Sequence, residues 1–297
     1  MMRPTHRKGG WAVLHDANRK DGRVGESSVT LRHPNGSVFV EVRPSDVDPC
    51  IRRGFEVVNS RAPLLRQALE QSRINRHQGR DALVLGNGPS LGMMHPDALA
   101  EWVRRERLLV IGTNNMFAPW QAWPDRDIEC DYWVILDRTF WDKHRDAING
   151  YCARRPVDRL PIFVLHFDPQ QLVLYERIRV DRSTTPAGHP NYTPGVYFHG
   201  KSSGVAAILH ALHMGCRRLY LLGHDLTLGP NGETHSFGIR PPEAKGYNQG
   251  ESMRAGYSMA AEWARQLNRT VLNCSPISTL RCFPTMVVEG MSHEQQG

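Results

Sequence analysis

Apolar residues in this chain fall into short solid runs rather than alternating with polar ones. Ala82-Leu83-Val84-Leu85, Leu108-Leu109-Val110-Ile111, Tyr132-Trp133-Val134-Ile135-Leu136, Ile162-Phe163-Val164-Leu165 and Leu219-Tyr220-Leu221-Leu222 are the clearest. Runs of this length without alternation read as strands buried on both faces, the pattern of a parallel sheet covered by helices. Helical spacing separates them. Residues 96–105 form one such stretch, and 202–214 another, with Val205, Ile208, Leu209 and Leu212 on one face and Gly215 as its stop. Val196-Tyr197-Phe198-His199 is a strand leading into that helix, and a further helix over 252–267 precedes the strand Thr270-Val271-Leu272. Strand and helix in alternation predict a doubly wound, mostly parallel α/β sheet of Rossmann-like type. Residues 177–194 carry no periodicity and read as a long loop, a candidate lid.

Residues 1–80 have a different character. A lead of some 25 residues rich in Arg, Lys, Gly and Asp is followed by Val29-Thr30-Leu31-Arg32 and Val38-Phe39-Val40-Glu41-Val42, which flank His33-Pro34-Asn35-Gly36-Ser37. Asn-Gly between β-branched runs predicts a hairpin, because both residues tolerate positive φ. A helix is predicted over 62–76. The chain thus divides into a basic appendage (1–80), a Rossmann-like α/β body (81–285) and a tail (286–297).

Charge sharpens this division. The net charge is +7. Residues 1–80 hold 15 Lys/Arg against 8 Asp/Glu, and the remainder 22 of each, so the whole excess lies in the appendage. Such a segment fits an anionic acceptor or partner, DNA included, and fits a solvated arginine-rich surface equally well. No apolar stretch approaches the roughly 20 residues that span a bilayer, and no signal-peptide core follows the basic start. The six cysteines are scattered without a Cys-x-x-Cys pair, which points to reduced thiols in the cytoplasm and to no metal site.

In an open parallel sheet, ligands bind where strands end. After the first body strand come Gly86-Asn87-Gly88-Pro89-Ser90, whose glycines let the backbone approach a ligand and present N–H groups to an anion. A plain strand-to-helix turn is the competing reading. Asn114, in Gly112-Thr113-Asn114-Asn115, offers an amide to a base or sugar, though Asn also favours turns. Lys201-Ser202-Ser203-Gly204 combines a cation, hydroxyls and a helix N-terminus, a setting for phosphate. Ser202 alone is also a good N-cap. His224 and Asp225 close a buried strand, Asp137 closes another, and His235 follows in a Gly/Pro-rich loop. Asp125-Arg126-Asp127 reads as a solvated turn, and Trp120, Trp123, Trp133 and Trp141 as anchoring or core residues.

Taken in order, Leu83-Val84-Leu85-Gly86-Asn87-Gly88-Pro89-Ser90-Leu91, an Asn after the second strand, Ser202-Ser203-Gly204-Val205 and Leu219-Tyr220-Leu221-Leu222-Gly223-His224-Asp225-Leu226 resemble two related groups. One is the bacterial sialyltransferases that use CMP-sialic acid without metal. The other contains the flagellin-modifying Maf glycosyltransferases and an archaeal 6-hydroxymethylpterin diphosphokinase. The resemblance covers about residues 81–280. It implies a nucleotide site lined by Asn87, Gly88, Ser90, Asn114, Ser203 and Gly204. Three positions depart from the sialyltransferase pattern. Lys201 stands where an arginine is usual, the catalytic tyrosines would fall near Thr227 and His235, and the general-base histidine would fall near Glu251.

The expectation is therefore a metal-independent transferase, a glycosyltransferase using a nucleotide-activated donor of CMP-sugar type. His235 or Glu251 would act as base, with His224 and Asp225 as further catalytic candidates. Gly86, Asn87, Gly88, Ser90, Asn114, Asp137, Lys201, Ser202, Ser203 and Gly204 would bind the donor. The alternatives are a diphosphokinase-like transferase holding Mg²⁺ on Asp137 and Asp225, a DNA-modifying transferase, and a nucleotide-binding module without chemistry.

Overall fold

The computed structural model describes residues 29–32, 39–42, 56–58, 74–116, 129–153, 161–166, 175–178, 180–181, 191–198, 200, 202–236 and 250–289. In the body, a seven-stranded sheet is built from β4 (Asp81–Leu85), β5 (Leu109–Thr113), β6 (Tyr132–Ile135), β7 (Ile162–Leu165), β8 (Tyr175–Arg177), β11 (Arg218–Leu222) and β12 (Thr270–Asn273). Its order is β12-β11-β4-β5-β6-β7-β8, with every neighbouring pair parallel. The doubly wound α/β reading holds.

The solid apolar runs are explained by burial on both faces. Ala82, Val84, Leu109, Ile111, Tyr132, Val134, Leu219 and Leu221 enter one core, whereas Leu83, Leu85, Val110, Trp133, Ile135, Tyr220 and Leu222 enter the other. The second core is closed by α1 (Pro96–Glu106), through Leu99 and Trp102, and by α2 (Arg138–Ala153), through Phe140, Trp141 and Ile148. The first is closed by α3 (Ser203–His213) and α4 (Gly250–Gln266). All eleven residues of α3 are buried, so its two histidines need internal partners. His210 Nδ1 meets Tyr197 Oη at 2.8 Å, and His213 Nε2 meets the Val196 carbonyl at 2.8 Å. Gly215 ends the helix at φ +79°, as its position predicts.

Three elements differ from expectation. The helix α2 mixes polar and apolar residues without a clear stripe, and Phe140, Trp141 and Ile148 mark its buried side among the described residues. Within 177–194, β8 ends and β9 (Val180–Asp181) pairs in parallel with β10 (Tyr197–Phe198), so this region is not a single open loop. The hairpin β1 (Val29–Arg32) and β2 (Phe39–Val42) forms with Val29 opposite Val42, and gains a third strand, β3 (Glu56–Val58), on the other side of β1. The hairpin's turn, the lead, most of the 62–76 helix, Asp125-Arg126-Asp127 and the end of the tail lie outside the described residues. Trp133 and Trp141 are core residues.

The chain runs outward from β4 to β8 and returns through α3 to β11, on the other side of β4. The direction of winding reverses between β4 and β11, and a crevice opens beyond the strand ends at such a reversal.

Candidate functional site

Two strand ends interlock at this crevice. The Gly86 amide donates to the Leu222 carbonyl at 2.8 Å, and the Gly88 amide to the Gly223 carbonyl at 2.8 Å. In return the Gly223 amide donates to Ser90 Oγ at 3.2 Å, and the Ser90 amide to Asp225 Oδ2 at 2.8 Å. A Cβ on Gly86 would drive into the Gly223 carbonyl, and one on Gly88 into the Asp225 carboxyl. Gly223 itself sits at φ +77°, where other residues are strained.

This geometry corrects one sequence expectation. The N–H groups of Gly86, Gly88 and Ser90 are committed within the protein, so they do not form an anion cradle. A buried carboxyl lies directly beneath the turn. Burial raises the Asp225 pKa above the usual carboxylate range, with Ser90 and Ser275 beside the carboxyl acting in the opposite direction. What the turn offers instead is an acceptor. Asn87 Nδ2 donates to the Thr113 carbonyl at 2.9 Å, which fixes the amide and leaves its buried Oδ1 without a partner. Asp225 Oδ1 is likewise buried and without a hydrogen-bond partner.

Asn114 and the start of α3 meet at the ends of β5 and β6. Ser203 Oγ donates to Asn114 Oδ1 at 2.9 Å and accepts from the Leu136 amide at 3.4 Å. Asn114 is held at φ 42° with its carbonyl on Trp133 Nε1, and its Nδ2 is uncommitted among the described residues. Ser202 caps α3 by accepting the Gly204 amide at 3.1 Å. The positive end of that helix therefore faces the same crevice. Lys201 lies outside the described residues.

Behind the helix terminus runs a buried chain of hydrogen bonds that the sequence did not single out. His224 Nε2 meets the Val84 carbonyl at 3.2 Å, His224 Nδ1 meets Tyr257 Oη at 2.9 Å, and Tyr257 Oη meets Ser202 Oγ at 3.3 Å. A carbonyl only accepts, so the proton sits on Nε2 and Tyr257 donates to Nδ1; Ser202 then donates to Tyr257. Burial pushes His224 down to about 4 and Tyr257 up to about 12, so both are neutral at ordinary pH. With both ring nitrogens committed and the ring buried, His224 is placed to hold the helix terminus rather than to exchange protons. Tyr257 lies on α4 among the apolar positions Ala260, Ala261 and Ala264, which is why spacing alone reads it as core.

The remaining candidates sit around this centre. Asp137 caps α2, with Oδ1 accepting the Phe140 amide at 3.1 Å. His235 is half-buried, 2.9 Å from Thr234 Oγ1, in the loop that returns to the turn through the Ser236 amide and Asn87 carbonyl (3.0 Å). Glu251 is the second residue of α4, and its side chain lies outside the described residues. Among the described residues, no three His, Cys, Asp or Glu side chains are grouped to hold a metal ion.

No protein-family model matches the chain, and no curated protein does. Among solved structures it is similar to the sialyltransferase CstII from Campylobacter jejuni in complex with cytidine-5'-monophosphate, at 12% identity and a TM-score of 0.41, over 73% of this chain and 88% of that one. The same enzyme in complex with CMP-3FNeuAc gives 11% identity and a TM-score of 0.40, over 72% and 88%. The Maf glycosyltransferase from Magnetospirillum magneticum AMB-1 gives 13% identity and a TM-score of 0.47, over 77% of this chain but 39% of that one. These are the two groups that the sequence motifs resemble.

Proposed function

We propose that this protein is a glycosyltransferase that takes a nucleotide-activated sugar across the ends of β4, β5 and β11, with no metal. The observation that carries the reading is Asn87 Oδ1, a buried acceptor locked in orientation and left unpartnered at the reversal of the sheet. A buried polar atom of this kind calls for a donor from a ligand. Asn87 Oδ1 suits a hydroxyl or amine donor of a nucleoside, while Asn114 Nδ2 and the positive end of α3 suit its phosphate.

In the transfer, an acceptor hydroxyl oxygen bonds to the anomeric carbon of the sugar as the bond from that carbon to the phosphate oxygen breaks. The hydroxyl proton goes to His235 or Glu251. The departing phosphate takes the electron pair and is stabilised by the helix terminus and Lys201. His224 and Asp225 are positioning residues in this scheme. The scattered cysteines, with no Cys-x-x-Cys pair, support assigning the reaction to the cytoplasm. No helix among the described residues is long and apolar enough to cross a membrane.

Thermal-shift and calorimetric titration with CMP-, UDP-, GDP- and ATP-type ligands tests the reading. Asn87→Ala and Ser203→Ala are expected to remain folded and to weaken the preferred nucleotide roughly tenfold or more, about the value of one hydrogen bond of this type. A folded Asn87→Ala protein that binds as the parent does places the site elsewhere. Donor turnover is expected to continue in excess EDTA. Loss on chelation, with rescue by Mg²⁺, transfers the assignment to a diphosphokinase with Asp137 and Asp225 as ligands. Asp225 is poorly suited to that role, because one oxygen is already held by Ser90 and burial favours its neutral form.

A further inference from the structure

The opposite edge of the sheet, where the strands begin, carries a second feature. Five arginines meet there. The Arg217 amide donates to the Arg80 carbonyl at 2.7 Å, and the Thr270 amide, next to Arg269, donates to the Arg217 carbonyl at 3.2 Å. Arg80 Nη2 reaches the Arg107 carbonyl at 3.1 Å. Arg218 follows Arg217, and both guanidinium groups lie on the one carboxylate of Asp81, at 3.1 Å and 3.6 Å. Arg80, Arg107 and Arg217 are exposed, and Arg269 Nε has no partner.

The nearby carboxylates are already engaged. Asp81 is shared by two arginines, Glu106 accepts from Arg105 at 3.1 Å, and Asp131 accepts the Val110 amide at 2.7 Å. The Arg217 fork is paired with both oxygens of Asp81, whereas Arg80 and Arg107 have no ion pair among the described residues, so their charge is left facing water. Part of it offsets helix C-termini, since α1 and α4 both end on this side, and Arg80 serves α1 in this way through the Arg107 carbonyl. Arg217 and Arg218 make no such contact in the structure.

The appendage joins the body at this same edge. Residues 75–79 are strapped to the end of α3 by the amides of Asn75, His77 and Gly79, which donate to the carbonyls of His213, Met214 and Gly215 at 2.8, 2.8 and 3.0 Å. The segment that holds the whole excess of positive charge thus attaches beside the arginine cluster. It does so a full strand length, about 17 Å, from the proposed donor crevice.

We infer that this edge is a docking surface for the phosphodiester backbone of a nucleic acid, bound without regard to sequence and apart from the donor site. Arginine favours this partner, because its planar fork pairs with phosphate oxygens in two places at once. A lipid surface is less well matched. The large exposed apolar residues among those described are Leu228, Met286 and Val287, and all three follow the strands' far ends at β11 and β12. The role differs from the one that charge alone suggested for the appendage: the edge tethers the protein and does not feed an acceptor into the crevice.

The test is fluorescence anisotropy of the full chain on a labelled 20-base-pair duplex DNA, across a salt series, for the parent and for Arg80→Gln/Arg107→Gln/Arg217→Gln. The parent is expected to bind with a log K that falls steeply with log salt. The triple variant should lose affinity at least tenfold, with a slope shallower by about 0.9 for each phosphate contact removed. It should remain folded and bind nucleotide as the parent does, so that failure here and failure of the donor-site proposal are separable. Absence of DNA binding overturns the inference. So does an unchanged slope in the triple variant, which assigns binding to the appendage alone. Arginine-dependent binding to phosphatidylserine vesicles without DNA binding replaces the nucleic acid with a membrane surface.

Discussion

Gly86→Ala is expected to destabilise the protein by about 3 kcal/mol or more, a loss of roughly 6–12 °C in Tm. The cause is the interlock of the two strand ends. The Gly86 and Gly88 amides bond to the Leu222 and Gly223 carbonyls, so the backbones of the two turns approach to hydrogen-bond distance with no room between them. The atom an added Cβ would strike is the carbonyl of Gly223, which is backbone and cannot rotate away. Gly223 is itself fixed at φ +77° by the same contacts. Gly232→Ala provides the control. That glycine also has positive φ, at +81°, but nothing lies within 4 Å of its added Cβ. Only the intrinsic cost of the left-handed backbone applies there, about 1 kcal/mol. Melting curves of the two variants should therefore be well separated. Equal shifts would mean that the two strand ends move apart to take the added Cβ, since Gly86 itself has no positive φ.

The fold was legible because β4, β5, β6, β7 and β11 are buried on both faces. Two-sided burial removes polar alternation, and the resulting runs, such as Leu219-Tyr220-Leu221-Leu222, stand out against any background. The ends of α3 were equally clear, since Ser202 and Gly215 are chemically suited to start and stop a helix. The helix α2 was not read, because polar residues interrupt its apolar positions, of which Phe140, Trp141 and Ile148 are buried among the described residues. The site was legible in position but not in polarity. Glycines and serines at strand ends announce a ligand edge, yet whether their N–H groups face a ligand or one another depends on the neighbouring strand. Here Gly223 and Asp225, more than 130 residues away from Ser90, take up those groups. Tyr257 was missed for a related reason. Its hydroxyl matters only because His224 and Ser202 reach it from two other elements, and no local pattern encodes that meeting.

Acidification should expose the same buried chain. His224 has a folded-state pKa of about 4, below the ordinary value of 6.5, because its ring is buried where a charge is poorly solvated. Below pH 6.5 the unfolded chain therefore takes up a proton that the folded protein refuses. The stability this group contributes is complete above about pH 6.5 and is lost as pH falls toward 4. A difference of about 2.5 units amounts to about 3 kcal/mol once pH reaches 4. His77, also lowered to about 4 by burial and by Arg80 and Arg76, acts in the same direction, though its half-buried ring makes the effect smaller. Asp225 acts in the opposite direction. Its raised carboxyl holds a proton more tightly in the folded state, so its contribution is present at low pH and lost as pH rises through its folded pKa. The net expectation is a marked fall in Tm between pH 6.5 and 4.5. His224→Gln isolates the first term, because an amide can still donate to the Val84 carbonyl and accept from Tyr257 but does not titrate. That variant should melt lower than the parent at pH 7, and its Tm should then decline much less on acidification. A parent-like decline in His224→Gln would transfer the acid sensitivity to His77 and the other histidines, and would mean that protonation does not break the chain from Val84 to Ser202.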